Sequence, residues 1–171
     1  MKDISCCFTG HRVIPAEEYE AVKGRMWQAI TDLVEHGYSR FITGGALGFD
    51  TLAAKAILYA KKTFPHLHLT LAIPCPDQAK YWRAEDISVY NSIKECADEV
   101  VLVSPSYDPG CMHRRNRFMV EQSSVCIAYL KEVRGGTAYT VARAKAAGLK
   151  VINVAEEDER AITLNTEIFK W

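Results

Sequence analysis

The sequence predicts a single-domain α/β fold: a doubly wound, Rossmann-like three-layer sandwich with a mostly parallel sheet. Three observations carry that expectation. Six short, nearly continuous apolar runs recur along the 171 residues, the pattern of strands covered on both faces. Longer stretches of helical period separate them, and strands alternating with helices imply right-handed crossovers in a parallel sheet. Glycine-rich turns then join two of the strands to the helices that follow them.

The elements are read in order. Strands are expected over residues 4–8, 40–43, 68–73, 99–103, 125–130 and 150–154. The first helix, over 17–36, places Tyr19, Val22, Met26, Ile30, Leu33 and Val34 on one face. Pro15 stands just before it and Gly37 just beyond it as a C-cap. Further helices are expected over 49–62, 77–97, 112–122 and 137–147, the last closed by Gly148. Residues 1–155 form the domain and 156–171 a tail, with the acidic run Glu156-Glu157-Asp158-Glu159 as a solvated connector. The terminal stretch 162–171 reads as a short element without an assigned place.

Composition narrows the function. The chain carries 21 basic and 21 acidic side chains, so it lacks the basic excess of a duplex-DNA binder. No apolar run reaches the length of a membrane span. The six cysteines are scattered without C-x-x-C spacing and no secretory pattern precedes them, so free thiols in a reducing cytoplasm are expected. No metal site and no cofactor are expected.

In such a sheet, ligands bind outside the carboxyl ends of the strands, where strand order reverses. The segments after the strands therefore hold the candidates. After the first strand, Thr9 offers a hydroxyl, Gly10 a close backbone approach and Arg12 a fork for phosphate, with His11 beside them. After the second, Gly44-Gly45-Ala46-Leu47-Gly48-Phe49-Asp50 opens a helix, where bare N–H groups and the helix dipole favour an anion. Ala46 stands where the full G-x-G-x-x-G pattern wants its second glycine. Asp50 reads either as a helix cap or as a ribose acceptor or general base, and a cap would compete with phosphate for the same donors.

Trp82, from the first turns of the helix after the third strand, is a candidate for stacking on a base. After the fifth strand, Arg134-Gly135-Gly136-Thr137 makes a second glycine-rich helix entrance. Arg114, Arg115 and Arg117 lie near a helix start, against the helix dipole, and hint at an external anion. Asn116 among them could bond a base or sugar.

The combination of Phe8-Thr9-Gly10-His11-Arg12, the 44–50 turn, Arg115-Asn116 and Gly135-Gly136-Thr137 resembles the SLOG superfamily, and within it the YpsA-like branch. The resemblance covers about residues 3–154 and implies a Rossmann-like fold with a nucleotide-type ligand at the glycine-rich loops. It also implies distant kinship to the LOG enzymes, which cleave the base–ribose bond of nucleoside monophosphates, and to the DNA-handling DprA proteins. The LOG signature Pro-Gly-Gly-x-Gly-Thr-x-x-Glu is incomplete here: Arg134-Gly135-Gly136-Thr137-Ala138-Tyr139-Thr140 has no glycine–threonine pair following its two glycines and no acidic residue in the next turn.

The leading expectation is a sensor or regulatory module for a nucleotide-like small molecule, such as an ADP-ribose or NAD-related compound or a nucleoside phosphate. Phosphates would meet Gly44, Gly45, Gly135 and Gly136, with Arg12 neutralising charge. The alternative is a LOG-like N-glycosidase with Asp50 or Glu85 as its carboxylate. A third reading is single-stranded nucleic-acid binding. A protein partner and a homodimer are expected by analogy with related folds.

Overall fold

The computed structural model describes residues 1–156. After a 3-10 turn over Lys2–Ile4 the chain alternates between strand and helix: β1 (Ser5–Gly10), α1 (Ala16–Glu35), β2 (Arg40–Thr43), α2 (Phe49–Ala60), β3 (His68–Ile73), α3 (Ala84–Cys96), β4 (Glu99–Leu102), α4 (Cys111–Glu121), β5 (Val125–Tyr129), α5 (Gly136–Ala146) and β6 (Lys150–Asn153). The strands form one six-stranded sheet in the order β4-β3-β2-β1-β5-β6. Every neighbouring pair is parallel. The chain winds outward from β1 to β4, then returns to place β5 on the other side of β1. The switch point therefore lies between the carboxyl ends of β1 and β5.

Alternation along the strands feeds two cores. Cys6, Phe8, Phe41, Leu69, Leu71 and Ile127 face one side and pack with Val22, Met26 and Ile30 of α1 and with Leu52 and Ile57 of α2. Cys7, Ile42, Ala72, Cys126 and Ala128 face the other, against Met119 and Val120 of α4 and Val141 and Ala144 of α5. A strand buried on both faces has no solvent side for polar residues, which is why these runs read as continuously apolar. The six cysteines are free thiols, and all but Cys96 are buried.

Helix α1 ends as its sequence predicts. Gly37 adopts φ +89, its N–H donates to the Val34 carbonyl and the Tyr38 N–H to that of Leu33. This pair of bonds is the Schellman motif, which needs a left-handed residue after the helix.

Most boundaries fall within one or two residues of expectation, and β1 and α3 show the differences that matter. Ile4 belongs to the 3-10 turn, and β1 instead runs on to Gly10. The helix expected over 77–97 begins only at Ala84. Residues 75–82 form successive turns, with Gln78, Lys80 and Trp82 N–H groups donating to the carbonyls of Cys75, Asp77 and Ala79. Arg83 then turns extended at φ −66, ψ 152 and starts the helix afresh. Ala79 and Trp82 have helical spacing, yet they pack on Ile73 and Tyr90 from a turn. Trp82 is thus not on the first turns of a helix. From residue 157 onward, the expected tail and its terminal element lie outside the described residues.

Candidate functional site

The end of β1 and the entrance of α2 are locked together by two glycines. A Cβ on Gly10 would run into the ring of Phe49, and one on Gly48 into the backbone of Arg12. Gly48 also holds φ +74, a conformation that side chains disfavour. The Phe49 N–H donates to the His11 carbonyl at 3.2 Å across the same contact. Gly10 thus makes room for the Phe49 side chain, and Gly48 lets two backbones touch.

That contact fixes Asp50 in the first turn of α2, where it is 5 % exposed. Gly48 is the N-cap and no side chain caps the helix. Instead the Asp50 carboxylate reaches back into the glycine-rich turn, where Oδ2 accepts the Ala46 N–H at 3.2 Å and the Gly44 amide also favours the ionised form. The seat that a phosphate would take in this turn is filled by the protein's own anion. The second oxygen, Oδ1, is buried and has no hydrogen-bond partner. Burial raises the Asp50 pKa to about 6, against the opposing pull of Arg115, the Ala46 amide and Arg12.

Arg115 lies on the buried stripe of α4 with Cys111 and Met119. Its Nη1 donates to the Gly44 carbonyl and, at 3.4 Å, to that of Ala72. Its Nε donates to Asn116 Oδ1 at 2.7 Å, so the Asn116 amide is oriented with its oxygen spent. Burial pulls the Arg115 pKa below the ordinary guanidinium value, while Asp50 holds it up. A Cβ on Gly44 would overlap the Arg115 guanidinium and come within 2.8 Å of Asp50 Oδ2. Gln78 Nε2 also donates to the Gly44 carbonyl at 3.0 Å. Gly44 is therefore the crossing point of the site's buried charges.

These groups border a cleft of about 330 Å³ at the switch point. Of the expected ligand residues it brings together Thr9, Gly10, His11, Arg12, Asp50, Asn116, Gly136 and Thr137. Ala46, Met112, Arg115 and Met119 complete its lining. Gly44, Gly45, Gly48, Gly135 and Trp82 are not among the lining residues. Gly45 faces Tyr90 and Gln78, and the Trp82 ring meets that of Tyr90 edge-on at 5.3 Å.

The far wall is the entrance of α5. Gly135 caps it without a side-chain hydrogen bond, and open space surrounds the Cα atoms of Gly135 and Gly136. His11 ties this wall to the near one: its Nε2 accepts the Lys131 N–H at 2.9 Å and lies 3.4 Å from the Glu132 N.

Sequence reasoning named Arg115 only together with Arg114 and Arg117, as a hint of an external anion, and did not single it out as a site residue. The signal was present, because Cys111, Arg115 and Met119 recur every four residues and put the arginine on the apolar stripe. Its neighbours are employed elsewhere: Arg114 pairs with Asp108 and donates to Ser104, and Arg117 is exposed. Glu85 is exposed on α3 near Arg83, away from the cleft lining. Among the described residues no group of three or more His, Cys, Asp or Glu is placed to hold a metal. No described helix is long and apolar enough to cross a membrane.

Comparison with known proteins places these features in context. The sequence profile described as the YspA SLOG family matches residues 10–155. An uncharacterized SPbeta prophage-derived protein, YoqJ of Bacillus subtilis, is 31% identical over 130 residues, covering 68% of this chain and 75% of its own. A UPF0398 protein of Halalkalibacterium halodurans is 28% identical over 127 residues, covering 72% of this chain and 67% of its own.

Among solved structures, DNA processing protein A from Streptococcus pneumoniae superposes with a TM-score of 0.61 at 19% identity, covering 88% of this chain. DNA processing protein A from Helicobacter pylori, described for its single-stranded DNA binding mode, superposes at 0.60 with 16% identity and 86% coverage. The chain spans 50% and 63% of those two proteins, and the likeness is one of fold.

Proposed function

The chain belongs to the YspA SLOG family, and from that premise we propose that its switch-point cleft binds a nucleotide-like ligand as a sensor or regulatory module. One observation carries the reading: a buried carboxylate oxygen, Asp50 Oδ1, lacks a partner in a residue that lines the cleft. A buried acceptor left unpaired is costly, and a hydroxyl of a bound sugar would satisfy it.

Phosphate belongs at the opposite wall. Helix α5 presents its first amides there, a setting that favours an anion, and the open space at Gly136 lets a phosphate approach the backbone. Arg12, exposed at the rim, supplies charge. The Ala46 amide already serves Asp50, so the phosphate moves from the 44–45 turn to Gly136 and Thr137. Asn116, its oxygen held by Arg115, offers N–H donors to a base or sugar.

The test is calorimetric titration of the protein with AMP, ADP-ribose and NAD, with chromatography of the same mixtures for free base or nicotinamide. Saturable binding that Asp50→Asn weakens, with no product, supports the sensor. Product formation lost in that variant supports a LOG-like N-glycosidase, in which an ionised carboxylate stabilises the oxocarbenium-like centre. Absence of binding to every nucleotide refutes both readings.

A second reading rests on the exposed side of α4 and α5. There His113 meets Tyr139 edge-on at 4.6 Å and Arg143 lies over the same ring at 5.9 Å, a pairing of cation and ring that suits stacked bases. Steeply salt-dependent binding of a single-stranded oligonucleotide, lost in Tyr139→Ala, is its signature. A protein partner that reads ligand occupancy, and a homodimer, complete the proposal by analogy of fold.

A further inference from the structure

We infer that His11 is a proton-operated positioning residue: its unprotonated Nε2 latches the β5–α5 loop, and protonation releases the α5 wall of the cleft. The observation is one of direction. The Lys131 N–H donates to Nε2 at 2.9 Å, and the Glu132 N lies 3.4 Å from the same atom. A backbone amide can only donate, so Nε2 must offer its lone pair and the ring's proton must reside on Nδ1. Adding a proton to Nε2 turns that bond into a clash of two donors.

The position of the latch gives it leverage. His11 borders both the switch-point cleft and a neighbouring, more open cleft of about 400 Å³ lined by Tyr129, Lys131 and Glu132. On its own side the chain is held firmly, by the Phe49 N–H on the His11 carbonyl and by the backbone contact of Gly48 with Arg12. The latched loop leads within five residues to Gly136 and Thr137 on the opposite wall.

The charges around the ring are mixed. Arg12 follows it in its own loop, and Lys131 and Glu132 lie in the latched one. The Tyr129 ring packs edge-on at 5.6 Å and its hydroxyl donates to Glu18 at 2.7 Å, with Glu17 and Arg25 also acting on it from α1. Glu18 in turn pairs with Lys131. From the cleft side come Asp50 of α2 and Arg115 of α4. Cations and carboxylates thus face the ring together, and the Nε2 lone pair is the element that a proton switches off. Imidazole is the side chain that ordinarily gains its proton in the physiological range.

This inference bears on the proposed site but can be tested without any ligand. NMR on the full, ligand-free chain would give exchange protection of the Lys131 and Glu132 amides from about pH 8 to about pH 5, with the His11 ring resonances followed in parallel. The expected result is a loss of protection at Lys131, after correction for intrinsic exchange, of about 3- to 10-fold, the worth of one ordinary hydrogen bond. The loss should track protonation of His11. His11→Gln and His11→Asn keep an acceptor without a titratable group and should abolish the pH response, while Asp50→Asn should retain it. Constant protection through His11 protonation, or the same loss in both His11 variants, overturns the latch. Failure of nucleotides to bind would leave these readouts intact, so the two proposals fall separately.

Discussion

Replacing Asp50 by asparagine should remove a pH dependence that the fold imposes on itself. Burial raises the carboxyl from about 3.8 to about 6, so between those values the folded chain holds a proton that the unfolded chain has released. Stability then falls as pH rises through this window and levels off above the folded value. A displacement of about 2.2 units at 1.36 kcal/mol each amounts to about 3 kcal/mol at neutral pH, to order of magnitude. The ionised form is thus the less stable one, and the cleft keeps it at a cost in stability.

The assay is urea denaturation of wild type and Asp50→Asn between about pH 4 and about pH 7.5, compared as a difference. Taking the difference cancels other groups that titrate in both proteins. Asparagine forfeits the attraction to Arg115, which offsets the curve vertically but leaves its slope to the carboxyl. Wild type should lose about 3 kcal/mol relative to the variant across the window. A difference that stays flat, or grows in favour of wild type as pH rises, would refute the assignment of a buried, under-solvated carboxylate.

Three further substitutions test the surrounding geometry. Gly48→Ala places a methyl group against the Arg12 backbone at φ +74. It should cost at least about 1–2 kcal/mol, and a change within about 0.5 kcal/mol in denaturant titration would contradict the interlock. Arg115→Met leaves the Ala72 carbonyl without this donor and Gly44 with Gln78 alone. It should cost about 2–4 kcal/mol and drive the Asp50 pKa further up, as read by carbon NMR of its carboxyl. Glu18→Gln weakens the bonds to Lys131 and Tyr129 that hold the Glu18 pKa below its ordinary 4.5. Those bonds contribute above the unfolded value and are lost as pH falls through the lowered folded one. Acid unfolding of wild type should therefore contain a contribution below about pH 4.5 that the variant lacks.

The layout of the fold was legible because burial on both faces leaves a plain mark: β5 reads as apolar without interruption, and β3 is broken only by His68 and Thr70. The failure at 77–97 has an equally plain cause. Ala79 and Trp82 share the three-residue spacing of a helix, and spacing alone does not distinguish a helix from turns packed on Tyr90. At the site, most of the lining residues were legible in the sequence, but the packing of the 44–50 turn was not. Its glycines suggested a phosphate cradle, whereas Gly44 makes room for Arg115 and Gly48 for Arg12. Sequence could pose the competition between Asp50 and a phosphate for the turn's amides; the carboxylate's reach back to Ala46 is a three-dimensional fact. His11 was chosen as a neighbour of Gly10, and its bond to Lys131, 120 residues away, left no local trace.

The backbone contact between Gly48 and Arg12 divides the cleft into parts of unequal permanence. Prying these two segments apart means withdrawing Phe49 from the core it shares with Phe8 and Phe41, an opening on the scale of global unfolding. The 131–136 segment is exposed, and its link to His11 is far cheaper to break, so it opens at a small fraction of that free energy. A ligand would then meet one wall that behaves as a fixed template and one that samples open forms many times during a single lifetime of the folded chain. Exchange should accordingly be graded across the site, with β1 and α2 amides following global stability and the α5 entrance setting how quickly any occupant leaves.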